Sequence, residues 1–142
     1  MKTLSLGFPA PENEDPNMAS IDHIIVKVND LAASVGFYTG IMGFVDEGRD
    51  GPFAMMRVNP GFQLQLAEWG TEGADHYAFA VSRDEFDAIF ERVKAAGLDF
   101  GPAYHNVGTN TGPGEESGAR GRAPTLYFFD PNKHLVEIRT YG

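Results

Sequence analysis

From residue 21 onward the apolar positions fall into short periodic runs separated by turn residues. The run IDHIIVKV is β-branched and alternates, which predicts a strand. LAASVGFYTGIM follows with helical spacing behind Asp30, a residue suited to capping a helix N-terminus. Three strand-like runs come next: FVDEG, FAMMRV and FQLQLAE. Asn59, Pro60 and Gly61 separate the last two, so these should form a hairpin. The order then restarts. DHYAFAV predicts a strand, and Phe86, Ile89, Phe90 and Val93 make one stripe of a following helix. Ser82 with Glu85 reads as a capping box at its start, and Gly97 as its stop. LDFGPAY, TLYFFD and HLVEIRTY supply three further strands.

Laid over each other, the halves correspond. Asp22-His23 matches Asp75-His76, Val28 matches Val81, Phe37 matches Phe90, and Gly43-Phe44 matches Gly97-Leu98 after one inserted residue. This is an internal repeat. A strand, a helix and three strands are too small a unit to bury both faces of a sheet. The expected fold is therefore α+β: two βαβββ modules, residues 21–70 and 74–142, packed with pseudo-twofold symmetry around a shared cleft. Residues 1–20 carry Pro9, Pro11 and Pro16 among acidic and small residues, and read as an N-terminal arm.

Composition narrows the function. Twenty acidic against 11 basic residues give a formal charge of -9, which repels phosphate backbones and anionic membrane surfaces, so nucleic acid and membrane are not expected partners. No apolar run reaches the length of a membrane span, and the opening MKTLSLGFPAPENEDP does not read as a signal peptide. A cytoplasmic location is expected. With no cysteine, any metal must be held by imidazole and oxygen donors.

Those donors are present at informative places. His23 and His76 occupy matched positions in the first strand of each half. Glu137 is flanked by Val136 and Ile138, so strand alternation turns the carboxylate away from two apolar neighbours. Two imidazoles and one carboxylate, with coordination positions left open, suit a divalent ion engaged in chemistry: Fe2+, Mn2+, Ni2+ or Zn2+. Ala78 and Ala80 share the strand face of His76 and leave space there, which Tyr127 is expected to border as a packing or substrate-contacting residue. His105 and His134, outside the matched positions, are expected at the surface. Asn106 to Pro124 lacks apolar periodicity and is expected to be a long loop, a candidate lid.

DHIIVKVNDLAASVGFYTGIMGF resembles the opening of vicinal oxygen chelate proteins, the glyoxalase, bleomycin-resistance and dioxygenase group. YFFDPNKHLVEIRTY, with Asp130-Pro131-Asn132 between an aromatic strand and the strand of Glu137, resembles their closing strand pair. The resemblance covers residues 21–142 and implies metal-ligand roles for His23, His76 and Glu137, a small-molecule substrate with adjacent oxygens, and a homodimer. One position departs from glyoxalase I enzymes. Aligning GFQLQL with KHLVEI sets Gln65 opposite Glu137, where those enzymes are expected to carry a glutamate. An amide cannot shuttle a proton as isomerisation of a hemithioacetal requires. The resemblance therefore implies a metal-dependent enzyme, dioxygenase-type first. A glyoxalase-like lyase or fosfomycin-type thiol transferase is the second reading, and a metal-free antibiotic-sequestering protein the third.

Overall fold

The computed structural model describes residues 17–142; of the expected N-terminal arm, residues 1–16 lie outside the described residues. Strand β1 (His23–Lys27) leads into helix α1 (Leu31–Gly40), then β2 (Val45–Asp50), β3 (Phe53–Asn59) and β4 (Phe62–Ala67). The second half runs β5 (His76–Ala80), α2 (Arg83–Ala95), β6 (Phe100–Gly101), β7 (Gly114–Gly118), β8 (Gly121–Phe129) and β9 (Leu135–Arg139). The first sheet has the order β1-β4-β3-β2 and the second β5-β9-β8-β6, with β7 added alongside β8. In each half the first strand pairs parallel to the last, and the rest is antiparallel. The repeat expected from the sequence is thus the repeat of the fold.

Local signals act as read, with instructive exceptions. The Asp30 side chain accepts from the Ala33 N–H at 3.0 Å, and Ser82 accepts from the Glu85 N–H at 3.2 Å. Glu85 does not complete a capping box with its carboxylate, which instead binds Arg92 at 2.9 Å. Gly43 and Gly97, the matched glycines behind the two helices, both take positive φ, 76° and 70°, where any side chain would be strained. Asn59-Pro60-Gly61 forms the β3–β4 turn. Two expectations about strands and loops fail. Only Phe100–Gly101 of LDFGPAY is a strand, because the chain turns off at Pro102, which has no N–H for a ladder. The supposed loop 106–124 contains β7 and the start of β8, a hairpin whose exposed, glycine-rich strands carry no apolar alternation to betray them.

One core serves both halves. Val26, Phe37, Tyr38, Met56, Leu64 and Leu66 pack with Phe79, Phe86, Ile89, Leu126, Phe128, Val136 and Ile138. The inner faces of both sheets are spent on this core, so the alternate positions face outward: His23, Ile25 and Lys27 on β1, and His76, Ala78 and Ala80 on β5, are exposed.

Between the halves runs a buried polar joint built from the β8–β9 turn. Asp130 accepts four hydrogen bonds: from the Tyr38 hydroxyl at 2.7 Å, the Asn132 amide side chain at 3.1 Å, and the backbone N–H groups of Asn132 at 2.8 Å and His134 at 2.9 Å. Asn132 reaches into the first half, donating to Ser34 Oγ at 3.1 Å and accepting from the Asn29 N–H at 2.8 Å. His134, expected at the surface, is fully buried; Nε2 lies 2.8 Å from the Lys27 carbonyl at the end of β1, and Nδ1 faces the Asp75 N–H. Sequence spacing misplaced it because a turn residue is ordinarily solvated, whereas this turn is covered by the other module. Burial, then the charge and hydrogen bond of Asp130, hold the Tyr38 phenol well above its ordinary pKa.

Asp130→Ala should leave several buried donors without partners and cost on the order of 3 kcal/mol. A melting temperature lowered by roughly 10 °C in thermal unfolding checks this. The raised Tyr38 pKa means that the folded state holds that proton more tightly. Its contribution is complete below the unfolded-state value of about 10 and is lost as pH rises above it. Tyr38→Phe should therefore be less stable at neutral pH yet show a shallower loss of stability on alkaline titration than the natural protein.

Candidate metal centre

The parallel pairing of β5 with β9 sets Ala78 beside Glu137 and Ala80 beside Arg139, while β8 sets Tyr127 on the other flank of Glu137. Because residues two apart on a strand share a face, His76, Glu137 and Arg139 emerge together on the outer side of the second sheet. Glu137 is buried at 3% exposure despite lying on that outer face, since His76, Tyr127 and Arg139 surround it. One carboxylate oxygen, Oε1, lies 3.0 Å from His76 Nε2; the other, Oε2, accepts from the Arg139 guanidinium at 2.7 Å. The Tyr127 hydroxyl also hydrogen-bonds Glu137. Burial, together with that hydrogen bond, raises the Tyr127 pKa far above the neutral range, so Tyr127 is a fixed neutral donor and no general base.

The first module carries the matching surface. Register sets His23 beside Gln63 and Ile25 beside Gln65, the same relation that Ala78 has to Glu137, so Gln65 is the true repeat partner of Glu137. Gln65 donates to Gln63 at 3.0 Å, and Gln63 to Glu47 at 2.8 Å, so an amide chain that ends on a carboxylate stands where the other half places Glu137 itself. His23 is about half exposed, and its Nδ1 lies 2.8 Å from Asp22 Oδ2. A carboxylate on Nδ1 orients the ring and leaves the Nε2 lone pair outward, a common arrangement for ligating histidines. Asp75, the matched residue, is used differently and accepts from the Tyr77 hydroxyl at 2.8 Å.

Two of the three anticipated ligands therefore meet and the third does not. Among the described residues of one chain, no three histidine or acidic side chains lie close enough to hold an ion. The reason is architectural: both ligand-bearing faces point away from the common core. A cleft of about 970 Å³ does lie between the modules, lined by Ile24, Phe44, Val58 and Phe62 on one side and by His76, Tyr77 and Phe79 on the other. It is largely apolar, and neither His23 nor Glu137 lines it.

The pair that does meet is hydrogen-bonded in this structure, and its imidazole and carboxylate are donor types a divalent ion takes. Two donors about 2.1 Å from one ion at a right angle lie about 3.0 Å apart, which is the His76–Glu137 separation. Arg139 was not singled out by the sequence, although its position two residues beyond Glu137 puts it on the same face. No residue spacing pointed to the β7–β8 hairpin that covers it.

Comparison with known proteins agrees with this architecture. The Glyoxalase/Bleomycin resistance protein/Dioxygenase superfamily profile matches residues 20–138. The fosfomycin resistance protein FosX of Listeria innocua is 30% identical over 130 residues, 85% of this chain and 89% of its own. The metallothiol transferase FosB of Lysinibacillus sphaericus is 29% identical over 131 residues, 85% of this chain and 82% of its own. The solved structure of the oxidase ChaP-H2 aligns with a TM-score of 0.70 and 34% identity, covering 87% of this chain and 94% of that one. With a repeated βαβββ fold and a family match across most of its length, the chain belongs to the Glyoxalase/Bleomycin resistance protein/Dioxygenase superfamily.

Proposed function

We propose that the protein is a homodimeric, metal-dependent enzyme acting on a small molecule with vicinal oxygens, its metal held by His23 of one subunit with His76 and Glu137 of the other. The observation that carries this reading is the His76–Glu137 pair at 3.0 Å, on the outer face of the second sheet and with no third histidine or acidic ligand among the described residues of its own chain. His23, held by Asp22 on the equivalent face of the other module, is the donor such a site needs. An isologous dimer supplies it twice, because a twofold axis that sets one subunit's first module against its partner's second module does so in both directions. Exposed Ile21, Ile25 and Trp69, at 67%, 41% and 56%, are apolar surface that such a contact would cover.

The bound metal would supply Lewis acidity toward the substrate oxygens, or activate oxygen if it is iron. The residues of the chain do the rest. Ala78 and Ala80 leave room above the sheet next to the ligands. Tyr127 offers a neutral hydroxyl that stays protonated through the physiological range. Gln65 brings an amide where a carboxylate base would otherwise stand, which supports a reaction without proton shuttling at that position. Oxygen-dependent oxidation is the leading reaction, supported by that amide and by likeness to the oxidase ChaP-H2. A glyoxalase-like lyase or fosfomycin-type thiol transferase is the second reading, the transferase supported by likeness to the fosfomycin resistance protein FosX and the metallothiol transferase FosB.

Protein purified without a histidine tag should contain about one divalent ion per subunit and have a light-scattering mass twice 15.5 kDa. His76→Ala and Glu137→Gln should each lower metal affinity on the order of 100-fold while leaving the circular dichroism spectrum unchanged. A stable monomer that binds no metal would overturn the reading.

The reaction class is tested by supplying ortho-diphenols, fosfomycin with thiols, and the methylglyoxal–glutathione hemithioacetal to the protein loaded with each divalent metal in turn. Oxygen uptake with the iron form is expected. Hemithioacetal turnover should be negligible unless Gln65→Glu restores a base; robust turnover by the natural protein would show that another group shuttles the proton.

A further inference from the structure

Six of the seven arginines are ion-paired to a carboxylate; the seventh, Arg120, has no such partner among the described residues. In a chain with 20 acidic and 11 basic residues, carboxylates are not scarce, so a guanidinium left without one calls for an explanation. Arg120 sits in the turn between β7 and β8. Its backbone N–H donates to the Tyr141 hydroxyl at 3.2 Å, and its guanidinium carbon lies 4.2 Å from the centre of the Tyr141 ring. The ring attracts the cation through its face and uses none of its N–H donors.

Two further arginines come to the same place. Arg83, the first residue of α2, and Arg122, on β8, join Arg120 in lining a groove of about 540 Å³ that Thr140, Tyr141 and Gly142 also border. No acidic side chain lines it, and the terminal carboxylate of Gly142 forms no ion pair among the described residues. The ion pairs of the other two arginines leave donors over. Arg83 meets Asp87 through Nε at 3.3 Å; Arg122 meets the Glu115 carboxylate through Nε at 3.1 Å and the Glu115 carbonyl through NH2 at 2.9 Å. Both terminal nitrogens of Arg83, NH1 of Arg122 and the whole guanidinium of Arg120 donate to no protein acceptor among the described residues. Three like charges brought to one groove repel one another and add nothing to the stability of the fold. An entering anion reverses the sign of that interaction.

We propose that the groove of Arg83, Arg120 and Arg122 binds the phosphoryl group of a small soluble molecule. Each guanidinium offers a planar fork of donors, and the three forks arrive from separate segments of the chain. A carboxylate has two oxygens in one plane and is satisfied by one fork. A phosphoryl group carries more charge and directs its oxygens tetrahedrally, which suits several forks at once. The groove is larger than a bare oxyanion needs, leaving room for the remainder of a molecule beside Tyr141. The net charge of -9 repels nucleic acid and anionic membrane surfaces, which restricts the ligand to a small one. The groove requires no metal, so it stands or falls separately from the reading of His76 and Glu137.

Inorganic pyrophosphate, titrated calorimetrically into the full-length protein near neutral pH, tests this. One saturable site with a Kd of about 1 mM or tighter is expected at low salt, weakening as salt is raised. Arg120→Gln and Arg83→Gln, changes in two different segments, should each weaken it by roughly tenfold or more. Arg49→Gln removes the same charge from an exposed pair in the first module, and His76→Ala alters the proposed metal centre; each should change binding less than threefold. Acetate should bind at least tenfold more weakly than pyrophosphate. The proposal is overturned by absence of saturable binding, by retention of binding in both groove variants, by an equal loss in Arg49→Gln, or by acetate binding as tightly. Loss in His76→Ala with retention in Arg120→Gln and Arg83→Gln would put the anion at the metal, overturning the groove while leaving the metal reading standing.

Discussion

The arrangement of this molecule depends on a buried carboxylate, Asp130, and the donors gathered round it. Through Tyr38, Asn132 and His134 the β8–β9 turn is tied to helix α1 and to the end of β1, so the two halves of the repeat are fixed to one another by directional bonds as well as by apolar packing. Apolar contact between two similar sheets permits sliding. A turn whose carboxylate and amide each satisfy specific partners in the other module does not. The Asp130-Pro131-Asn132 segment, read from the sequence as part of the closing strand-pair resemblance, is thus a structural joint.

That joint dictates where function can sit. Once the inner faces of both sheets are committed to a single core, the polar residues at alternate positions are forced outward. His23 on one module and His76 with Glu137 on the other therefore cannot meet within one chain. On the reading proposed above, a complete ligand set would belong to an assembly, and the exposed, partly apolar sheet face would be surface for a second copy. The same logic explains why the cleft between the modules is apolar and holds neither His23 nor Glu137: it is a seam of the core, walled by Phe44, Phe62 and Phe79.

Much of this was legible in the sequence because it obeys short periods. The repeat matched His23 to His76 and Gln65 to Glu137, period-two alternation turned Glu137 away from Val136 and Ile138, and Gly97 marked the end of the second helix. What escaped was determined by tertiary contact. His134 reads as a turn residue and is buried by the opposite module. The β7–β8 hairpin has glycines and charges where a strand signal would need apolar alternation. Arg139 stood two positions from Glu137 in plain view, yet its burial depends on three backbone carbonyls from that hairpin. Strand alternation gives the face of a side chain, but not which module that face will meet. The sequence therefore predicted a converged triad, while the fold brings two of its members together in one chain.

Hybrid dimers test the shared site most directly. His23→Ala and Glu137→Gln subunits, each separately deficient in metal, would be mixed in equal amounts, exchanged, and analysed for bound ion with dimer mixing confirmed by mass. Random pairing makes half the dimers hybrid, and each hybrid has one intact site, so metal content should recover to about a quarter of that of the natural protein. No recovery despite confirmed exchange would show that His23 and Glu137 do not serve a common ion across the dimer.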